Sequence, residues 1–335
     1  SRDQAKHARP HLCARIDTTH ELAREVTGVQ DATILQVKGY QVIRMLGRGG
    51  VGSVYLAHEE ELDRRVALKV LRQDLDWSPA AKQHFIAEAT ALARLNHDHV
   101  VRVHRVLQSE VFGYVMEWIP GASLRAILAQ ARTLPSPTIH AVADALDVPS
   151  ARLPWSSWRE FVLRTGIAIG RALEAVHAAG LVHRDVTPAN IVIRQDGRPI
   201  LVDFGLACEP NQWVDGYAGA GGSSFAGTAN YAAPEQLRRD PAAIGPKTDL
   251  YGLGASLYEA LLLRPLPPNR AAVRLPMPRS GLSALIEAAL ASAPADRPST
   301  ARAFADALVD ELAAPRTPTH PGTRGLRVRL VLCAG

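Results

Sequence analysis

The chain has little cysteine: Cys13, Cys208 and Cys333 are its only three in 335 residues, far apart and odd in number. That excludes a disulfide framework and points to reduced thiols in a cytoplasmic, cytosolic setting. His7, His11, Cys13 and His20 gather near the start, but their spacings match no common zinc pattern and no metal is assigned to them. A run of about 20 apolar residues is missing, as is a signal peptide, so the sequence offers no membrane-spanning helix of its own. Internal repeats are missing too, which excludes solenoids and propellers. Charge of one sign is not sustained. Lys+Arg number 38 against 33 Asp+Glu, and Arg316, Arg324, Arg327 and Arg329 supply +4 of the net +5 after Leu312, where no acid occurs. The basic balance reflects a tail rather than a nucleic-acid-binding face, and no nucleic acid partner is expected.

What is present is a chain long enough, at 335 residues and 47% hydrophobic, to bury a large core in about two domains or lobes. The first part reads as strands and the second as helices. Gly47-x-Gly49-x-x-Gly52-x-Val54 lies between strands expected at 40–46 and 53–58. Missing Cβ atoms there let backbone N–H groups close over polyphosphate oxygens. Such a triplet also opens dinucleotide-binding folds, but a helix must then follow, and here a strand does. Ala67-Leu68-Lys69 sits in the apolar run 66–71, where a lone inward ammonium needs an anionic partner. A helix opened by Ser78-Pro79 and running to about Leu95 carries Glu88 between Phe85, Ala89 and Leu92, on an otherwise apolar face. Taken singly, Lys69 and Glu88 would read as solvated surface charges.

The later motifs change that reading. A helix capped by Ser157-x-x-Glu160 ends at Gly180, and a hairpin of residues 191–194 and 199–202 turns at Asp196-Gly197. Clamped between them lies His183-Arg184-Asp185-x-x-x-x-Asn190, followed by Asp203-Phe204-Gly205 and Ala233-Pro234-Glu235. In one order and at one set of spacings these are the parts needed to move a phosphoryl group from ATP to a hydroxyl.

From about Tyr40 to Leu312 the chain resembles the protein kinase family, in its bacterial eukaryotic-like Ser/Thr branch. The resemblance implies an α+β, bilobal fold: a small antiparallel-sheet N-lobe with one main helix and a larger, mainly helical C-lobe. It implies Asp185 as the base, Lys69 held by Glu88 as the phosphate clamp, and Asn190 and Asp203 as ligands of Mg2+. Leu46, Gly47, Gly49, Gly50 and Gly52 would cover ATP. Val54 and Ala67 would roof the adenine, Val192 would floor it, and Met116 would be the gatekeeper beside the Glu117 carbonyl and Ile119 amide. Arg184 would pair with a phosphate on the segment between Asp203 and Glu235, where Ser223 or Ser224, ahead of Thr228, is expected to be phosphorylated. Glu235 with Arg297 would brace the larger lobe, and Asp249 would support the catalytic loop. The substrates implied are Ser and Thr hydroxyls of proteins.

Three departures qualify the resemblance. Thr187 stands where most such kinases place a lysine, which keeps a nucleotide-binding pseudokinase scaffold open as an alternative. A small-molecule kinase of similar fold is the other alternative, though Ala233-Pro234-Glu235 after a long segment speaks for a protein substrate. An insertion at 132–155 is expected to form an extra helix at 139–146, and a proline-rich stretch at 266–280 is expected to shorten a substrate-docking helix. The domains expected are an N-terminal extension at 1–38, the N-lobe and hinge at 39–119, the C-lobe at 120–312 and a basic Pro/Arg-rich linker at 313–335. The chain begins at Ser1 and ends on an apolar stretch at 330–334, so a longer protein is expected, with a membrane or sensor domain beyond the end.

Overall fold

A computed structural model of the chain describes residues 35–49, 52–72, 77–108, 111–204, 230–267, 275 and 281–314. Gly50, Gly205, Ser223, Ser224, Gly227, Thr228, the 1–34 and 315–335 stretches and most of the proline-rich stretch lie outside these residues.

The upper lobe is an antiparallel sheet in the order β1-β2-β3-β5-β4, built from β1 (Tyr40–Arg48), β2 (Gly52–Glu59), β3 (Arg64–Leu71), β4 (Val103–Gln108) and β5 (Phe112–Glu117). From Val66 to Leu71 every residue of β3 is buried. One face of the sheet packs on a cluster with Val37, Tyr40, Val66, Leu68 and Val115, the other on the main core with Ala67, Tyr114 and Met116. A strand covered on both sides reads as a continuous apolar run, and that is how the sequence reads here. Helix α1 (Pro79–Arg94) covers the inner face with Phe85, Ala89 and Leu92, all wholly buried at helical spacing. Val37, before β1, forms an isolated bridge with Tyr40 and packs in the same outer cluster.

The lower lobe contains α2 (Leu124–Ala131), α3 (Ile139–Leu146), α4 (Trp158–Ala178), α5 (Pro234–Leu237), α6 (Pro246–Leu262), α7 (Gly281–Ala289) and α8 (Ala301–Ala313). A small sheet, β6 (Gly121–Ser123), β7 (Ile191–Arg194) and β8 (Pro199–Leu201), lies beside them. Every residue of α6 from Thr248 to Ala260 is buried, as befits a helix placed at the centre of its lobe. Ser157 Oγ caps α4 by accepting the Glu160 N–H at 3.2 Å, but the Glu160 carboxylate reaches Ser156 N–H at 2.9 Å instead of returning to Ser157. The expected box is therefore spread over two adjacent serines. Gly180 follows α4 with φ +75°, a conformation glycine adopts without steric cost.

The inserted segment forms α3 over the expected residues, and Pro154 and Trp155 then press against the turn at Gly197. Two of the ties between the lobes set the flanks of the cleft. One is the covalent passage from β5 to β6; the other is a pair of backbone bonds, Val101 N–H to Leu201 O at 3.0 Å and Leu201 N–H to His99 O at 2.8 Å. The cleft between the lobes lies between these two ties.

Candidate active site

The catalytic-type loop is hung from α6 by one carboxylate. Asp249 accepts the backbone N–H of His183 at 2.9 Å and of Arg184 at 2.7 Å, and the His177 ring at 2.8 Å. Gly252, one turn on, lets the Val186 carbonyl approach so closely that a Cβ would lie 2.7 Å from its oxygen. His183 is wholly buried and burial holds its pKa below the usual imidazole value. The neutral ring can then donate from Nε2 to Val202 O at 3.1 Å and accept the Asp185 N–H on Nδ1 at 3.2 Å. It also lies against Phe204, ring to ring at 4.5 Å. Arg184 at φ +66° and Asp203 at φ +60° are both left-handed, an unusual backbone for non-glycine residues and one concentrated at functional sites.

Asn190 turns its amide NH2 onto Asp185, donating to the backbone oxygen at 2.9 Å and to Oδ2 at 2.8 Å. The Val202 N–H in turn donates to the Asn190 carbonyl at 2.9 Å, so the segment carrying Asp203 is stitched to the loop carrying Asp185. Burial and the nearby Asp203 charge push the Asp185 carboxyl up to about 6, against the opposing pull of Asn190, Lys69 and Arg125. A carboxylate with that affinity for protons is suited to accept one near neutral pH.

Lys69, on β3, donates to Asp203 Oδ1 and to the Phe204 carbonyl, the latter at 3.1 Å. Burial alone would lower its pKa, but the Asp203 charge reverses the direction and keeps the amine protonated. The expected partner, Glu88, is not on the amine. Its carboxylate faces Arg184, with Nη1 at 3.6 Å. This corrects the clamp as expected from sequence: two carboxylates compete for one buried ammonium, and Asp203 holds it while α1 carries Glu88 toward Arg184. Burial raises the Glu88 pKa despite the lowering charges of Arg184 and His84.

Across the sheet, Ala67 is opposed by Met116 and Lys69 by Tyr114, and Val54 on β2 is opposed by Lys69. Leu46 is exposed and Val54, Val192, Glu117 and Ile119 are half-buried, whereas Ala67 and Met116 are buried. Gly47, Gly49 and Gly52 lie at the β1–β2 turn, where the Gly49 N–H donates to Gly52 O at 2.8 Å. Thr187 is buried and offers no charge to the cleft. Below, Arg297 forks onto Glu235 with two bonds of 2.7 Å, both side chains wholly buried, and Thr248 adds a third bond at 2.9 Å.

Several contributors escaped the sequence reading. Gln236 donates to the Arg184 carbonyl at 2.8 Å, and the Arg125 N–H holds the Pro188 carbonyl at 2.8 Å. Tyr114 Oη and Arg184 Nε are buried without a hydrogen-bond partner among the described residues. Register could have found Tyr114, since pairing 66–70 with 113–117 places it directly opposite Lys69.

A family profile described as protein kinase domain matches residues 40–310. The chain is 34% identical over 309 residues to the serine/threonine-protein kinase PknK of Mycobacterium tuberculosis, covering 87% of this chain and 25% of that protein. It is 35% identical over 231 residues to a probable serine/threonine-protein kinase of Streptomyces coelicolor, covering 68% of this chain and 30% of the relative. The chain therefore spans less than a third of the length of these relatives. The crystal structure of the Mycobacterium tuberculosis PknI kinase domain superposes with a TM-score of 0.61 at 27% identity, over 84% of this chain and 100% of that one.

Proposed function

This chain belongs to the protein kinase family, and from that premise we propose that it transfers the γ-phosphate of Mg-ATP to Ser and Thr hydroxyls of proteins. The observation that carries the reading is the bonded run from Lys69 through Asp203 and Asn190 to Asp185 at the floor of the cleft. Catalysis of this kind is mostly positioning and electrostatics, and those four groups supply both.

Asp185 accepts or orients the substrate hydroxyl proton, with Asn190 fixing its carboxylate. Asn190 uses its NH2 on Asp185, which leaves its amide oxygen and the Asp203 carboxylate as the hard donors that would hold magnesium. The metal, when bound with ATP, supplies neutralisation of phosphate oxygens. Lys69 supplies a buried positive charge for the α- and β-phosphates, and Gly47, Gly49 and Gly52 form the turn that covers them, closed by the Gly49 N–H on Gly52 O. Ala67, Val54, Val192, Leu46 and Met116 enclose the adenine, with the Glu117 carbonyl and Ile119 amide at its edge. Ser223 or Ser224 is the site of loop autophosphorylation, supported by Arg184, whose Nε is unpaired among the described residues. The scarce, scattered cysteines support action in a reducing, cytoplasmic compartment.

Thr187 favours a second reading, a scaffold that binds nucleotide without transferring phosphate. One assay separates them: incubation with γ-labelled ATP and generic protein substrates, followed by acid hydrolysis. Phosphoserine or phosphothreonine in the hydrolysate, lost in Lys69→Met, supports the kinase. Nucleotide binding without any labelled amino acid supports the scaffold.

A further inference from the structure

Lys69 and Tyr114 are a directly opposed pair across β3 and β5, so their side chains rise from the same face of the sheet. The Lys69 amine lies 5.9 Å from the Tyr114 ring centroid. On the other side, the ring of Phe85 lies 5.9 Å from that of Tyr114, and Phe85 sits three residues before Glu88 on α1. Tyr114 therefore stands between the strand that carries the amine and the helix that carries the carboxylate. It is wholly buried, and its hydroxyl feels the Lys69 charge, yet it makes no hydrogen bond of ordinary geometry among the described residues.

Burying an unpaired hydroxyl is unfavourable, and phenylalanine would fill the same space without that cost. The arrangement around it is also unfinished. Lys69 spends two of its three N–H groups on Asp203 and Phe204 O, leaving one. Among the described residues Glu88 has a 3.6 Å contact to Arg184 as its ion pair, and the Arg184 Nε is a second buried group without a hydrogen-bond partner there. A turn of α1 that brings Glu88 away from Arg184 and toward the sheet would give the hydroxyl an acceptor and the amine a second oxygen.

The geometry points to Tyr114 as a positioning residue of the phosphate clamp: with nucleotide bound, its hydroxyl donates to the Glu88 carboxylate and accepts from the Lys69 amine. The clamp is then a chain of three side chains rather than a pair. In the nucleotide-free state the hydroxyl has only its loose approach to Lys69, and on closure it holds Lys69 at the height of the phosphates. The inference rests on the kinase reading above and adds a member to that same site.

Tyr114→Phe tests it in the full 335-residue chain, since the ring and its burial are kept and only the hydroxyl goes. The expected result is a rise of about tenfold in KM for ATP, the worth of one hydrogen bond to a charged group. The same loss should appear in Mg-ATP affinity by calorimetry. Melting temperature without nucleotide should stay level or rise, because no resting bond of ordinary geometry is lost. In a Glu88→Gln background the same change should cost less than about twofold, since the two groups act as a unit.

A Tyr114→Phe protein with wild-type KM and Mg-ATP affinity overturns the inference. So does an equal loss in both backgrounds, or a fall in melting temperature with KM unmoved, which would mark a purely structural tyrosine. A wild-type chain that neither binds Mg-ATP nor transfers phosphate overturns the kinase reading itself and this inference with it.

Discussion

The lower brace and the upper clamp are both built from buried charges, yet they are finished to different degrees. Glu235 and Arg297 meet in a two-bond fork, with Thr248 on the carboxylate and the Lys247, Ala291 and Ser292 carbonyls on the guanidinium. Burial would raise the Glu235 pKa, but those bonds and the Arg297 charge override it and hold it below the usual carboxylate value. In the clamp, Lys69 has taken Asp203, Glu88 has a long contact with Arg184, and Tyr114 Oη and Arg184 Nε have no hydrogen bond of ordinary geometry among the described residues. The contrast teaches where the molecule can move. A satisfied network has one arrangement, whereas loosely paired charges can exchange partners.

The sharpest way to break that comparison is to remove one member from each side. Arg297→Met strands a buried Glu235 carboxylate and should cost about 3–5 kcal/mol, seen as a fall of roughly 10 °C in melting temperature by calorimetry. Glu88→Gln should change stability by less than about 1 kcal/mol, because its ion pair is long and partly solvated. The same substitution should lower phosphoryl transfer about 10²-fold, as loss of a preorganised charge does. Equal destabilisation by the two substitutions would erase the distinction between brace and clamp.

Asp185 sharpens it through pH. Its folded-state pKa, raised to about 6, lies above the unfolded carboxylate value, so its contribution to stability is present at low pH and lost as pH rises through about 6. The proton-accepting form runs the other way, and kcat/KM should fall as pH drops below about 6. Asp185→Asn should accordingly melt higher than wild type at pH 7 to 8. The smallest effect expected is on the midpoint of that pH profile. Arg125 depresses the proton affinity of Asp185, so Arg125→Ala should move the midpoint upward, read from the acid limb of the profile.

Much of this was legible in sequence because local chemistry decided it. The strands, α1 and the added helix α3 follow from periodicity and punctuation, as does the turn at Gly197. The Glu235–Arg297 and Asp249 anchors were expected from resemblance to the family, and the structure places them as described. What was not legible depended on choices between chemically equal partners. Ser156 and Ser157 compete for Glu160, and only the path of the chain selects. Glu88 and Asp203 compete for Lys69, and the position of α1 decides. Tyr114 was hidden because β3 pairs with β5, past β4, so its opposition to Lys69 is set by sheet order and not by sequence distance.

The measurement closest to the central claim is γ-phosphate transfer from Mg-ATP by the wild-type chain and by Asp185→Asn, side by side at pH 7.5. Labelled phosphoserine or phosphothreonine with wild type, and a loss of at least about 10³-fold with Asp185→Asn, is the outcome expected for a positioned base in a phosphoryl-transfer site. Equal labelling by the two proteins would contradict it.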